Sequence, residues 1–238
     1  MYHRPDLSTR VMDPELMDDP ALDATSHTAA LRALQRLNFV SASAEILWRP
    51  ITQMISNEGP VRLRILDIAT GAGDVPISLW RKARRRRIPL YIAGCDQSVT
   101  ALEHAKRNAQ RCGADIDFFQ FDARSGTIGT NYDVVMCSLF LHHLVDNEAL
   151  SLLAKMASAA RRLVLVSDLE RSAIGLSLAF GVSRILTRSS VVHTDAVRSV
   201  RAAFTRNEVR QMAEHEGLSG ATVRWRWPWR YLLQWSRR

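Results

Sequence analysis

The sequence predicts an α/β protein: a doubly wound, mostly parallel seven-stranded sheet, preceded by a helical extension and closed by an antiparallel edge pair. Three observations carry this prediction. Between residues 63 and 168, five short apolar runs alternate with helix-period segments, as βαβ units feeding a parallel sheet do. The first three runs end on or beside an acid: Asp67, Asp96 and Asp122. Finally, residues 221–227 alternate with period two and 229–235 follow after Pro228, as an edge hairpin would.

The bulk properties agree. A chain of 238 residues suits one well-packed domain and is short for two. Residues 1–58 are expected to form the helical extension or lid. Residues 59–238 are expected to form the main domain, with a lid-like insertion at about 171–204. Within residues 26–57 two apolar stripes have helical spacing, Leu31, Leu34, Leu37 and Phe39, then Ile46, Leu47, Ile51 and Ile55. Pro50 should kink or split the second of these helices.

From residue 63 the period changes. Residues 63–68 read as a strand, followed by a Gly-rich turn and a helix over 75–86. Residues 90–95 read as a second strand, with a helix over 98–111. A third strand covers 116–121 and a fourth 132–137, before a helix at 147–159. A fifth strand covers 163–166 and ends near Asp168. Residues 174–186 are apolar and helical, 189–204 show no clear strand, and 207–217 read as a helix capped by Thr205. In the final pair, Val223, Trp225 and Trp227 share one face, which favours packing of the hairpin.

Several classes are excluded or disfavoured. The N-terminus has no apolar signal region, and the longest apolar runs are of strand length, so a soluble, cytoplasmic protein is expected. Cys95, Cys112 and Cys137 lack metal-type spacing and read as small hydrophobes, so neither a disulfide nor a metal site is expected. The net charge of +8 leaves an anionic partner open, with nucleic acid disfavoured and peripheral membrane contact an alternative. Much of that charge sits in residues 81–87, which also read as a solvated helix end complementing the dipole. The arginine-interleaved tryptophans at the end of the chain leave the same membrane question open. No obligate protein partner is evident.

The turn Asp67-Ile68-Ala69-Thr70-Gly71-Ala72-Gly73-Asp74 fails the nicotinamide G-x-G-x-x-G spacing in either register. It resembles motif I of the class I S-adenosylmethionine-dependent methyltransferases, with Ala69 at the first glycine place. The resemblance spans residues 63–168 and implies a Rossmann-like fold, holding ligands outside the strand ends at the topological switch. It implies S-adenosyl-L-methionine as cofactor, bound by Asp67, Ala69, Gly71, Gly73, Asp96, Gln97, Asp122, Ala123 and Ser138. Asp96 would accept the ribose hydroxyls, and Asp122, with Ala123 beside it, the adenine amino group.

The segment Cys137-Ser138-Leu139-Phe140-Leu141-His142-His143-Leu144 resembles the small-molecule branch, in its quinone-type and polyketide- or phenolic-lipid-associated members. It lacks the Asn/Asp-Pro-Pro-Tyr/Phe clamp of base-amine methylation. The resemblance implies methyl transfer in secondary metabolism to a small or lipidic acceptor, with a phenolic, polyketide or quinone-like oxygen or carbon. Alternatives are a non-catalytic cofactor-binding subunit and an RNA methyltransferase.

An oxygen acceptor needs a proton acceptor, and histidine titrates near neutrality. His143 and His193 are the expected bases. His142, Arg198 and Arg201 are expected at the acceptor, and Asp195 beside His193 could join them in holding a phenolate or carboxylate. Each also has a bland reading as a strand-end, capping or solvated loop residue.

Overall fold

A computed structural model of the chain describes residues 6–18, 23, 43–58 and 62–237. The expected helix carrying Leu31, Leu34, Leu37 and Phe39 lies outside the described residues. The first element among them is a single 3-10 turn, Leu16–Asp18, in an N-terminal strap. Helix α1 (Ser43–Glu58) follows and runs through Pro50 without a break, which corrects the expected split. The proline deprives one carbonyl of its partner, but Leu47, Trp48, Pro50 and Ile51 are all buried, and that packing holds the helix together.

The sheet then builds in order. Strand β1 (Leu63–Ile68) leads to α2 (Asp74–Arg85), β2 (Leu90–Asp96) to α3 (Val99–Cys112), and β3 (Asp117–Gln120) to β4 (Tyr132–Ser138). Helix α4 (Asp146–Ala159) precedes β5 (Ala160–Leu169). Helices α5 (Ala173–Leu186), α6 (Ser190–Ala202) and α7 (Arg206–His215) come before the closing pair β6 (Thr222–Arg226) and β7 (Arg230–Ser236). Thr205 caps α7 through the Glu208 amide, and Glu208 returns the bond to the Thr205 amide. Residues 189–204, which show no clear period in sequence, are mostly helix α6.

The seven strands are ordered β3-β2-β1-β4-β5-β7-β6. Strands β1 to β5 are parallel, and β7 and β6 are antiparallel, as expected. Both faces are covered, which explains the near-continuous apolar strands. On one face Leu63, Ile65, Val134 and Leu165 pack with α1 and α2. On the other, Leu66, Ile68, Val135, Val166 and Tyr231 pack with α4 and α7. The chain reverses direction of winding between β1 and β4, so the crevice above them lies at the carboxyl end of the sheet.

The basic run at the end of α2 is largely solvated, as its bland reading holds. Lys82 pairs with Glu45 at 2.5 Å, and Arg86 stacks over Trp48. The tryptophan stripe departs from the sequence reading. Val223 is buried, whereas Trp225 and Trp227 are 41% and 56% exposed, because β6 is the edge strand. None of the described helices is long and apolar enough to cross a membrane.

Candidate active site

A cavity of about 1040 Å³ opens at the carboxyl end of β1, β2, β4 and β5. Its two ends differ in construction. One end is the turn after β1. Ala69 and Gly71 both have positive φ, 54° each, and both line the cavity. A Cβ at Gly71 would meet nothing within 4 Å, so the backbone there faces open space. Asp96 closes the turn: its Oδ2 accepts the Gly71 amide at 2.8 Å and its Oδ1 the Ser98 amide at 2.9 Å. Each oxygen keeps a second lone pair for a ligand.

Asp67 is buried at the floor of this end and accepts the Thr70 hydroxyl at 2.7 Å. Burial pushes its carboxyl up to about 7, with Asp96 adding to the rise and the Thr70 bond opposing it. Gln97, Phe121, Asp122 and Ala123 complete the wall. Asp122 caps its own turn, accepting the Arg124 amide and the Ser125 hydroxyl, and these bonds hold its carboxyl below the usual range. Ser138, at the end of β4, lines the cavity with a buried hydroxyl that has no partner among the described residues.

The other end is an apolar chamber with one polar corner. Leu178, Ala179 and Val182 of α5, Val192, Ala196 and Val200 of α6, and the β6–β7 turn enclose it. The corner holds His142, on a 3-10 turn (Leu141–His143) after β4, and Asp168, at the end of β5. Nδ1 of His142 lies 2.7 Å from Asp168 Oδ1, and the His142 amide donates to Oδ2 at 3.2 Å. Both side chains are buried. In the neutral imidazole the proton therefore sits on Nδ1, and Nε2, which makes no hydrogen bond among the described residues, can accept once it is deprotonated.

Burial opposes the imidazolium, but the charge and hydrogen bond of Asp168, joined by the charge of Glu15, raise His142 above the ordinary histidine range. His143 is the opposite case. Burial and the neighbouring His142 charge push it down to about 4, so it is neutral throughout the physiological range.

Glu15 comes from the N-terminal strap. Its Oε1 lies 3.9 Å from His142 Nε2 and 4.0 Å from His143 Nδ1, and it accepts the Ser199 hydroxyl. These three residues are the candidate metal ligands among the described residues. Both separations exceed the roughly 3.4 Å expected between tetrahedral ligands of one ion at ~2.1 Å. At these distances the carboxylate acts on the imidazoles through its charge and not through a hydrogen bond.

The strap is fastened along α6. Asp195 accepts the amides of Leu16 and Met17 at 2.8 and 3.0 Å, Arg198 reaches the Pro14 carbonyl, and Arg201 pairs with Asp13 at 3.0 Å. Arg10 stacks over Phe204 and donates to the Leu144 carbonyl, and buried Arg171 binds the Leu7 carbonyl and Glu208.

Residues 65–162 match the model of a methyltransferase domain family. This segment resembles a methyltransferase domain. Release factor glutamine methyltransferase of Bacteroides thetaiotaomicron (strain VPI-5482) is 32% identical over 105 residues, covering 42% of this chain and 36% of that protein. Its Haemophilus influenzae (strain Rd) counterpart is 34% identical over 67 residues, 26% and 23% of the two chains. The chain thus spans little more than a third of the curated relatives' length at most.

Two solved structures match nearly end to end. Magnesium protoporphyrin IX methyltransferase from Synechocystis PCC 6803 with bound SAH has a TM-score of 0.58 at 17% identity, covering 92% of this chain and 90% of that one. The plantazolicin methyltransferase BpumL in complex with SAH has a TM-score of 0.64 at 17% identity, covering 93% and 92%. At that identity they establish the class I methyltransferase fold.

Within the matched segment, Asp67, Ala69, Gly71, Asp96, Gln97, Asp122, Ala123 and Ser138 all line the cavity, and His142 and His143 join them. Four expected site residues do not. Gly73 caps α2 with φ 78°, and a Cβ there would press on Ala105 and Phe118 at 3.1 and 3.2 Å, so it serves helix packing. His193 is bonded to the Thr187 carbonyl at 2.8 Å. It sits one residue past Val192, a rotation of about 100° from the cavity face of α6. Arg198 and Arg201 hold the strap instead of an acceptor. Sequence reasoning missed Glu15, Phe121, the chamber residues of α5 and the role of Asp168, whose only signal was its place at a strand end.

Proposed function

We propose that this protein is an enzyme that transfers a methyl group from S-adenosylmethionine to a hydroxyl of a small or lipidic, largely apolar acceptor. The observation that carries the reading is the buried His142–Asp168 pair, its Nε2 without a hydrogen bond among the described residues, in the polar corner of an otherwise apolar chamber that is continuous with the turn after β1. A proton acceptor poised in that corner favours an enzyme over a cofactor-binding subunit without catalysis.

The residues fit the cofactor. The unpartnered Ser138 hydroxyl offers a donor and acceptor to its amino-acid part, the open space at Gly71 admits its methionine chain, and Asp96 can take both ribose hydroxyls. When bound, the cofactor supplies an electrophilic methyl on a sulfonium. The chain's own part is alignment and proton removal. His142 Nε2 accepts the acceptor's hydroxyl proton, Asp168 holds the imidazole in the accepting tautomer and steadies the imidazolium, and Glu15 faces the new charge. The apolar walls keep the corner dry and seat the acceptor's body.

The test is turnover. Purified protein with S-adenosylmethionine and a panel of alkyl-substituted phenols should release S-adenosylhomocysteine and an O-methylated product with at least one member. Tight cofactor binding without turnover on hydroxyl acceptors, or methylation at carbon alone, would contradict it. A cytoplasmic location and a role in secondary metabolism belong to the same proposal.

A further inference from the structure

Helix α5 is apolar almost all round, a composition that normally marks a buried helix. Its inner side faces the chamber through Leu178, Ala179 and Val182, and it packs against α6. Yet Ile174 and Phe180 are more than half exposed, and Ile185 is 82% exposed. The β6–β7 turn repeats the pattern. Trp227 lines the same chamber and is still 56% exposed, with Trp225 beside it. The two are contiguous: a Cβ at Gly175 of α5 would lie 3.3 Å from Trp229 Cδ1, and Trp229 meets Trp225 edge-on at 5.8 Å.

The charged side chains on these two segments have one sign. Residues 173–190 and 222–236 contain no acid, and four of their five arginines, Arg184, Arg188, Arg224 and Arg226, reach the surface, Arg230 being buried. Arg184 lies over the Phe180 ring at 3.5 Å. Arg226 is partly buried beside Arg224 and Arg49, and burial first and then their charges disfavour its guanidinium charge. Exposed aromatic and aliphatic side chains flanked by arginines are what an anionic lipid surface takes up: the apolar groups enter the acyl boundary and the guanidinium groups meet the headgroups.

We propose that α5 and the β6–β7 turn form a docking face for an anionic lipid bilayer, placed at the mouth of the acceptor chamber. The face would let the chamber draw an amphipathic acceptor from the membrane. That step rests on the function proposed above, whereas the docking itself does not.

The experiment is co-sedimentation of the full chain with phosphatidylcholine vesicles and with vesicles enriched in phosphatidylglycerol. Alongside it run light scattering and calorimetry with S-adenosylhomocysteine. The protein should sediment with the anionic vesicles and be released by salt. Ile185→Glu with Phe180→Glu should weaken that binding by at least about tenfold, and Arg224→Glu or Arg226→Glu by about fivefold each, with S-adenosylhomocysteine affinity unchanged in all. No association with anionic vesicles at low salt would overturn the proposal. So would binding that survives the double substitution, or that depends on the basic run at 81–87 instead. A wild-type dimer that the double substitution dissolves would assign the face to a second copy. Failure of vesicle binding with intact S-adenosylhomocysteine binding and turnover would leave the methyl-transfer reading standing.

Discussion

The two ends of the cavity are built in different ways. The crevice after β1 is made of local chain: a turn, its strand-end aspartates and the amides they hold, all within residues 67–138. The acceptor chamber is assembled from distant pieces. Glu15 meets Ser199 and His142 there, and the β6–β7 turn closes against α5. Local construction suits a site for a shared ligand, whose shape does not vary. Distant construction lets the acceptor pocket change while the crevice stays fixed.

If the two ends are separable, substitutions should divide cleanly between them. The largest effect is expected at the polar corner. His142→Ala should lower turnover by about 10²–10⁴ and leave S-adenosylhomocysteine affinity unchanged. The loss should shrink at high pH, where the acceptor ionises unaided. Asp168→Asn should act on the same step, so the double variant should be scarcely worse than the worse single one. Loss of cofactor affinity in His142→Ala, measured by calorimetry, would break the division.

The converse substitution is Asp96→Ala. It should weaken S-adenosylhomocysteine binding by about 1.5–3 kcal/mol, the range for hydrogen bonds to a charged group. The carboxylate also holds the Gly71 amide, so part of the loss reports the turn. Asp96→Asn, which keeps one oxygen, should lose less.

The difference in construction also decides what could be read from sequence. Asp67, Asp96 and Asp122 stand at strand ends beside a glycine turn, and the strand–helix alternation alone puts them at one edge of the sheet. The failure at Gly73 has a physical cause, since a glycine needed for positive φ and close packing looks the same in sequence as one needed for a ligand. In the chamber no local pattern exists. Whether His142 or His143 faces Asp168 depends on one 3-10 turn, and adjacent residues differ only by rotation. His193 was misplaced in the same way by one step around α6. Glu15 is separated by more than 120 residues from its histidine partners, and nothing near it in sequence points to them.

Glu15 sharpens the comparison through pH. Its charge helps to raise His142, so the rate should climb only as pH passes that raised value and the base loses its proton. Glu15→Gln removes a negative charge, which should move this limb to lower pH. The same linkage bears on stability. A histidine raised on folding contributes stability that is fully present below its unfolded value, near 6.5, and is lost as pH rises through the folded value. Urea unfolding across that window should show the loss in wild type and less of it in His142→Ala. An unshifted rate limb in Glu15→Gln would remove Glu15 from the proton's path.

The smallest effect is expected at Ala69, where an alanine holds a left-handed conformation that costs about 1–2 kcal/mol for an L side chain. Ala69→Gly relieves that cost but frees the unfolded chain. The net should be a gain of about 0.5–1 kcal/mol in thermal or urea unfolding, with the cofactor site intact. A loss of stability would mean that the Ala69 methyl group makes a packing contact worth more than its strain.

In this arrangement the crevice and the chamber should meet at one reacting point, with His142 facing it. A crystal structure with S-adenosylhomocysteine bound tests this most directly. The ribose is expected on Asp96, the amino-acid part by Gly71 and Ser138, and the sulfur at the junction, with its unsubstituted side facing the chamber and His142 Nε2. A sulfur turned away from the chamber, or a ligand that leaves Asp96 and Ser138 untouched, would contradict it.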